Sequence, residues 1–235
     1  MRSFIVFPLV EDLATGNADF YAMGHIPNIF GAIDGTHIAF VLPQRNEQVF
    51  RNQKSFHSIN VQIVCLADQY ISQVNAKHTG SVHDAFILRN SSIPYVMAQL
   101  QRHWLWLIGD SGYPSLSWLL TPVRNPRTRA EQHYNEAHGR TGRVIERTFG
   151  LLKARLCCLH LTGGSLYYAP KKVCQIIMVC CMLHNLALRR QVHFLQEDEA
   201  GDGRVAAVDP VDSEDEEAED EDEDNRSAII QPYFQ

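Results

Sequence analysis

The 235-residue chain has no convincing secretory or membrane segment: residues 4–10 form a short apolar run that holds Pro8 and meets Glu11 and Asp12 at once. Without a leader or anchor we expect an intracellular protein with no membrane partner. It also lacks any Cys-x-x-Cys pair. Its six cysteines (65, 157, 158, 174, 180 and 181) lie mostly in apolar stretches, which in a reducing compartment reads as buried thiols rather than disulfides. Acid is scarce until the last forty residues. Residues 197–235 hold 16 of the 27 Asp and Glu but only Arg204 and Arg226 of the 21 Lys and Arg, so the rest carries 19 bases against 11 acids. The whole-chain value of −6 therefore hides a core of +8. That sign suits a domain that meets a phosphate backbone, and it also suits an ordinary soluble surface. The stretch 197–224 in turn lacks aromatics and has one base, a composition that cannot bury enough apolar surface to offset ordering entropy. We expect a disordered acidic tail over 197–235.

With 45% hydrophobic residues, the remainder suffices for one sizeable core. Residues 1–30 read as a weakly patterned lead-in with turn signals at Gly16-Asn17 and Pro27-Asn28. Residues 32–40 carry the first strand signal. The period-two alternation of 56–65 recurs over 70–76 after a turn-like Ala67-Asp68-Gln69, predicting two strands and a tight turn. A two-piece helical stretch follows over 80–102, interrupted by Pro94, and residues 104–108 then make a short buried strand that delivers Asp110 at its tip. After a polar interval over 122–142, apolar residues at 145, 149, 152, 156 and 159 mark one helical face, and a last helix spans 170–190.

Three carboxylates stand in apolar or glycine-flanked surroundings: Asp34 in a strand, Asp110 after a strand and Glu146 beside a helical stripe. Taken singly, Asp34 suits a turn, Asp110 a cap, and Glu146 an ion pair with Arg143 or Arg147. Taken together, oxygen ligands from two strand ends and a helix suit a pair of Mg²⁺ or Mn²⁺ ions about 4 Å apart for phosphodiester chemistry. The order Asp, Asp, 35 residues, Glu favours the set.

The motifs Gly31-Ala32-Ile33-Asp34-Gly35-Thr36-His37-Ile38, Phe56-His57-Ser58-Ile59-Asn60-Val61-Gln62, Gly80-Ser81-Val82-His83-Asp84, Gly109-Asp110-Ser111-Gly112-Tyr113-Pro114, Val144-Ile145-Glu146-Arg147-Thr148-Phe149-Gly150-Leu151-Leu152-Lys153 and Leu183-His184-Asn185 occur in fixed order. In these, roughly over residues 20–190, the chain resembles the PIF/Harbinger superfamily of DDE transposases and most closely its transposase-derived animal nucleases. The resemblance implies an α/β, ribonuclease H-like fold over residues 31–190: a mixed five-stranded sheet flanked by helices, the DDE transposase catalytic core. It implies a metal-dependent DNA nuclease acting by two-metal hydrolysis, with Asp34, Asp110 and Glu146 as catalytic, metal-binding triad and a divalent cation, Mg²⁺ or Mn²⁺, as cofactor. Asp84 is a fourth candidate metal ligand, or else a helix cap. His83 would position that turn or a phosphate, or be a satisfied structural histidine.

Lys153, Arg147, Arg143 and Arg140, with Arg124, Arg127, Arg129 and Arg155, form a basic interval that would track a DNA backbone or be a solvated face. Cys180 and His184, one helical turn apart, invite zinc; their apolar neighbours favour core packing. The family carries a helical recognition region ahead of the Asp34 motif, where this sequence has about thirty residues. Cys157, Gly142 and Leu66 stand where the family more often has Arg or Lys, Arg and Asp. These departures leave open an inactive DNA- or protein-binding module working with a Myb/SANT-like partner. The expected localisation is the nucleus, or nucleus and cytoplasm.

Overall fold

The period-two pattern of the second and third predicted strands becomes β2 (Ser58–Cys65) and β3 (Ile71–Thr79) in the computed structural model, which describes residues 4–8, 10–41, 47–100, 104–192 and 223–234. Their turn closes through Leu66 N–H to the Tyr70 carbonyl at 2.9 Å, with Gln69 left-handed at φ 67°. With β1 (Ile29–Ala39), β4 (Trp106–Ile108) and β5 (Leu119–Leu120) they form one mixed sheet in the order β3-β2-β1-β4-β5. β1 is antiparallel to β2 and parallel to β4, and β4 is parallel to β5. The expected α/β architecture is present, and β1 and β4, the strands that carry Asp34 and lead to Asp110, are central.

Alternation along β1 and β2 gives each face its own core. Ile33, Val64, Leu107 and Leu119 pack on one side with Leu88 of α3 (Asp84–Arg89) and Ile93 and Met97 of α4 (Ile93–Leu100). Ala32, Ile38, Ile59, Val61 and Ile63 pack on the other with Phe20 of α1 (Val10–Gly24), Ile145 and Phe149 of α5 (Arg129–Arg155), and Val173 and Ile177 of α6 (Pro170–Arg189). A single turn, α2 (Glu47–Phe50), precedes β2. By length and composition alone α6 could cross a membrane; here its buried residues pack on β3, β2 and α5.

Four sequence expectations need correction. The lead-in over 1–30 is not patternless: α1 runs through Gly16-Asn17, and β1 starts at Ile29 rather than 32. Gly24 ends α1 because the α5 backbone at Ala137 and the Thr141 hydroxyl pass where a Cβ would stand. The polar interval over 122–142 is half helix. Thr128 accepts from Glu131 N–H at 3.2 Å and Glu131 Oε2 from Thr128 N–H at 2.8 Å, a capping box that starts α5 fifteen residues ahead of Val144. The five-stranded sheet that the resemblance implies is present, but its fifth strand, β5, has no signal of its own in the sequence, being only two residues long. Finally, the stretch 197–235 is not disordered to its end, since α7 (Glu223–Tyr233) buries Ile229, Ile230 and Phe234 and sets the Phe234 ring edge-on to Tyr134 at 5.8 Å. Residues 197–222 lie outside the described residues.

Candidate active site

β1 and β4 pair in parallel with Ala32 opposite Ile108, both on the α5 side of the sheet. Two residues further on come Asp34, still within β1, and Asp110, just past the end of β4. Asp34 Oδ1 accepts from Gly35 N–H at 2.6 Å, and Asp110 Oδ1 from Gly112 N–H at 3.1 Å across the turn after β4. α5 crosses the same face. Its Tyr134, Ala137, His138, Thr141, Val144, Ile145, Thr148, Phe149 and Leu152 are buried, so Glu146 faces outward with Arg140, Arg143 and Arg147. Together with Met23 of α1 these four line an open cavity of about 330 Å³. Gly142 and Gly150 flank Glu146 at i−4 and i+4, and neither has anything within 4 Å of where a Cβ would be. A glycine inside a helix costs about 1 kcal/mol relative to alanine, so α5 gives up stability to keep Glu146 unshielded. Asp34 and Asp110 thus lie at two neighbouring interior strands of the sheet, and Glu146 lies on the helix that crosses that face.

Asp84 is the first residue of α3, and His83 is the N-cap, without a side-chain cap bond. The capping role considered for Asp84 is therefore absent. Its Oδ1 instead accepts from Asn60 Nδ2 at 2.9 Å, and its carboxylate lies flat against Gly35, where a Cβ would run into it. Asp84 thus sits behind β1, on the face opposite Asp34, and is near enough to act on both other aspartates. Burial pushes Asp34 well above the ordinary carboxylate range, reinforced by the charges of Asp110, Asp84 and Glu146 and opposed by Gly35 N–H. Burial and then the Asp84 charge push Asp110 up to about 6. Burial also raises Asp84, against the pull of Asn60. Among the described residues no three His, Cys, Asp or Glu side chains stand close enough to hold one metal ion as they are.

Lys153 does not face solvent as a backbone-tracking lysine would: its Nζ donates to Thr36 Oγ1 at 2.7 Å. Burial lowers its pKa while the Asp34 charge holds it up. On the neighbouring position of β1, burial, Lys153 and Lys54 bring His37 down to about 4, leaving it neutral at physiological pH, with Nδ1 2.9 Å from Ser58 Oγ. Of the other expected basic contacts, Arg155 donates to the Val192 carbonyl at 2.9 Å and Arg124 to that of Ser111 at 3.4 Å. The zinc reading finds no support in the bonding. His184 Nε2 donates to the Gln69 carbonyl at 3.0 Å, and the neighbouring Asn185 pairs with Ile71 as a strand would: Oδ1 accepts from its N–H at 2.8 Å and Nδ2 donates to its carbonyl at 2.7 Å. The site residues missed in the sequence are Thr36, His37, Asn60 and Gln62. Two amides at inward positions of the otherwise apolar β2 were the available signal.

The profile of the DDE superfamily endonuclease family matches residues 33–185, a span that holds all four carboxylates. "Putative nuclease HARBI1" of Mus musculus is 38% identical over 186 residues, covering 79% of this chain and 53% of that protein. Its Xenopus laevis counterpart is 32% identical over 198 residues, covering 84% and 57%. "Protein ALP1-like" of Arabidopsis thaliana is 28% identical over 186 residues, covering 72% and 45%. The chain spans about half the length of the curated relatives it matches. No solved structure matches it.

Proposed function

Because the chain belongs to the DDE superfamily endonuclease family, we propose that it is a metal-dependent DNA nuclease whose Asp34, Asp110 and Glu146 hold divalent cations, with Asp84 as support. The observation that supports this reading is the parallel pairing of β1 with β4, which leads into Asp34 and Asp110, together with the reach of the Asp110 and Glu146 charges to Asp34. The donors are all oxygen and of one charge, with burial and like charge raising both Asp34 and Asp110 and Glu146 exposed beside them, which fits Mg²⁺ or Mn²⁺ by ligand chemistry. When bound, such ions supply the Lewis acidity that activates water and stabilises the departing oxygen.

The chain's own residues do the rest. Arg140, Arg143 and Arg147 line the cavity around Glu146 and would hold a phosphodiester there. Lys153, joined to Thr36 two residues along β1 from Asp34, brings a cation to the inner end of that path. Neutral His37 is held by Ser58 Oγ at 2.9 Å. Asp84 and Gly35 N–H fix the backbone and carboxylate of Asp34 from behind.

The test is nicking of supercoiled plasmid in Mg²⁺ or Mn²⁺: wild type nicks, Asp34→Asn does not, and wild-type inactivity with every divalent ion overturns the proposal. A second reading has its own observation, that among the described residues no three ligating side chains converge. On that reading the chain is an inactive DNA- or protein-binding module, which predicts that a Myb/SANT-like partner and DNA bind equally well to wild type and Asp34→Asn. The nuclease reading and the DNA-binding form of the second both take DNA as partner, and we propose the nucleus, or nucleus and cytoplasm, as the location.

A further inference from the structure

Between Arg147 and Gln196 the sequence contains no Asp or Glu, while Lys153, Arg155, Lys171, Lys172, Arg189 and Arg190 fall within it. This acid-free stretch includes two short 3-10 turns, Cys157–Leu159 and Leu161–Gly163, and the run into α6. There Tyr167 and Tyr168 stand 79% and 52% exposed, and the exposed Lys171 and Lys172 follow on the first turn of α6. The tyrosines are held in place by the backbone beside them. Leu166 is buried, its N–H donates to the Ala39 carbonyl at 3.2 Å, and its carbonyl accepts from Val41 N–H at 2.9 Å, bridging in parallel to Phe40. The rings are thus fixed just past the C-terminal end of β1. Six strand residues at ~3.3 Å each put that point about 20 Å from Asp34. The Lys153–Thr36 contact lies between the two.

Two adjacent phenol rings this exposed add little to the core, and flat aromatic faces beside cations are what an unpaired nucleic-acid strand uses: bases stack on the rings and phosphates meet the lysines. A duplex offers the same phosphates but hides its base faces, so the rings discriminate where the lysines do not. The absence of any carboxylate over fifty residues removes the repulsion such a strand would otherwise meet, and the positive end of the α6 dipole adds to the lysines.

We propose that Tyr167 and Tyr168, with Lys171 and Lys172, form a stacking platform that binds an unpaired DNA strand beyond the end of β1. The inference rests on the nuclease reading for the strand's direction, toward Asp34, and not for the binding itself. The test is fluorescence anisotropy in EDTA with the full chain and an oligodeoxythymidylate of about 20 nucleotides, longer than the ~4–16 nucleotides of known single-strand sites, against a duplex of equal length. Tyr167→Ala/Tyr168→Ala should weaken single-strand binding by about tenfold or more and leave duplex binding within about twofold. Tyr167→Phe/Tyr168→Phe, which keeps the rings, should bind as wild type. Lys171→Gln/Lys172→Gln should weaken both and flatten the salt dependence. Equal losses on strand and duplex, an unchanged alanine variant, or no single-strand binding by wild type would each overturn the platform; the last two would point to a protein partner for the rings. Cleavage is not read, so failure of the nuclease leaves this result standing, and a failed platform leaves plasmid nicking to be judged separately.

Discussion

Asp110→Asn should stabilise the metal-free protein at alkaline pH while removing its response to metal. Burial and the Asp84 charge hold the Asp110 carboxyl at about 6 rather than the ordinary 3.8. Above pH 6 the folded protein must carry an ionised carboxylate that the unfolded chain solvates more easily. Because the folded value is the higher one, the favourable contribution is full below pH 3.8, falls between 3.8 and about 6, and is gone above. The difference corresponds to at most about 3 kcal/mol at 1.36 kcal/mol per tenfold. Asparagine carries no charge and keeps an acceptor for Gly112 N–H. In EDTA at pH 8 the variant should therefore melt up to roughly 6–12 °C above wild type, at 2–4 °C per kcal/mol for a domain of this size, with the gap closing toward pH 4. Mg²⁺ at about 100 times its Kd should return about 2.7 kcal/mol to wild type and much less to the variant. Thermal or urea unfolding at the two pH values, with and without Mg²⁺, reads all of this. A variant no more stable than wild type at pH 8, or a gap independent of pH, would refute the idea that the carboxylates are held together against their repulsion.

Gly35→Ala should drive a methyl into the Asp84 carboxylate, costing about 1–3 kcal/mol in urea unfolding, and Gly35→Ala/Asp84→Ala should recover most of it. Asn185→Ala takes away the partner of the Ile71 N–H and carbonyl, while the Phe4 carbonyl keeps the Tyr70 hydroxyl at 2.7 Å, and should cost about 2–6 kcal/mol, at 1–3 kcal/mol for each of the two buried groups. Phe234→Ala should release α7 from Tyr134 at a cost of about 3 kcal/mol, seen as faster hydrogen exchange through 223–233 with α5 unchanged.

The strands and late helices were legible because their apolar periods are clean: β2 alternates from Ser58 to Ile63, and the α6 stripe runs through Val173, Ile177 and Cys180. The misses share a cause, which is that tertiary contact replaced local pattern. α1 holds because Gly24 lets it cross α5 at Ala137. β5 needs two residues because β4 supplies its partner. α7 carries Asp and Glu in its first turn and Pro232 near its end, and what holds it is tertiary: Ile229, Ile230 and Phe234 are buried, and Arg226 donates to the Pro122 carbonyl at 3.2 Å. α5 is the exception, since Thr128 and Glu131 announce its start in the sequence and were passed over for the polar run around them.

At the site, residue types were readable one at a time, and their joint geometry was not. Asp34-Gly35 and His83-Asp84 look like two separate motifs about fifty residues apart. In the fold they are one contact: Gly35 is glycine because the Asp84 carboxylate occupies the space of its side chain, and Asp84 is ionisable in a buried place because Asn60 donates to it. The same logic applies to Leu183-His184-Asn185, whose His184 and Asn185 complete the hydrogen bonds at the start of β3, an edge strand. A motif's residue types therefore constrain its chemistry less than the backbone groups it must satisfy. The carboxylates Asp34 and Asp110 stand out because each sits with burial and like charge against it, a cost that packing alone gives no reason to keep.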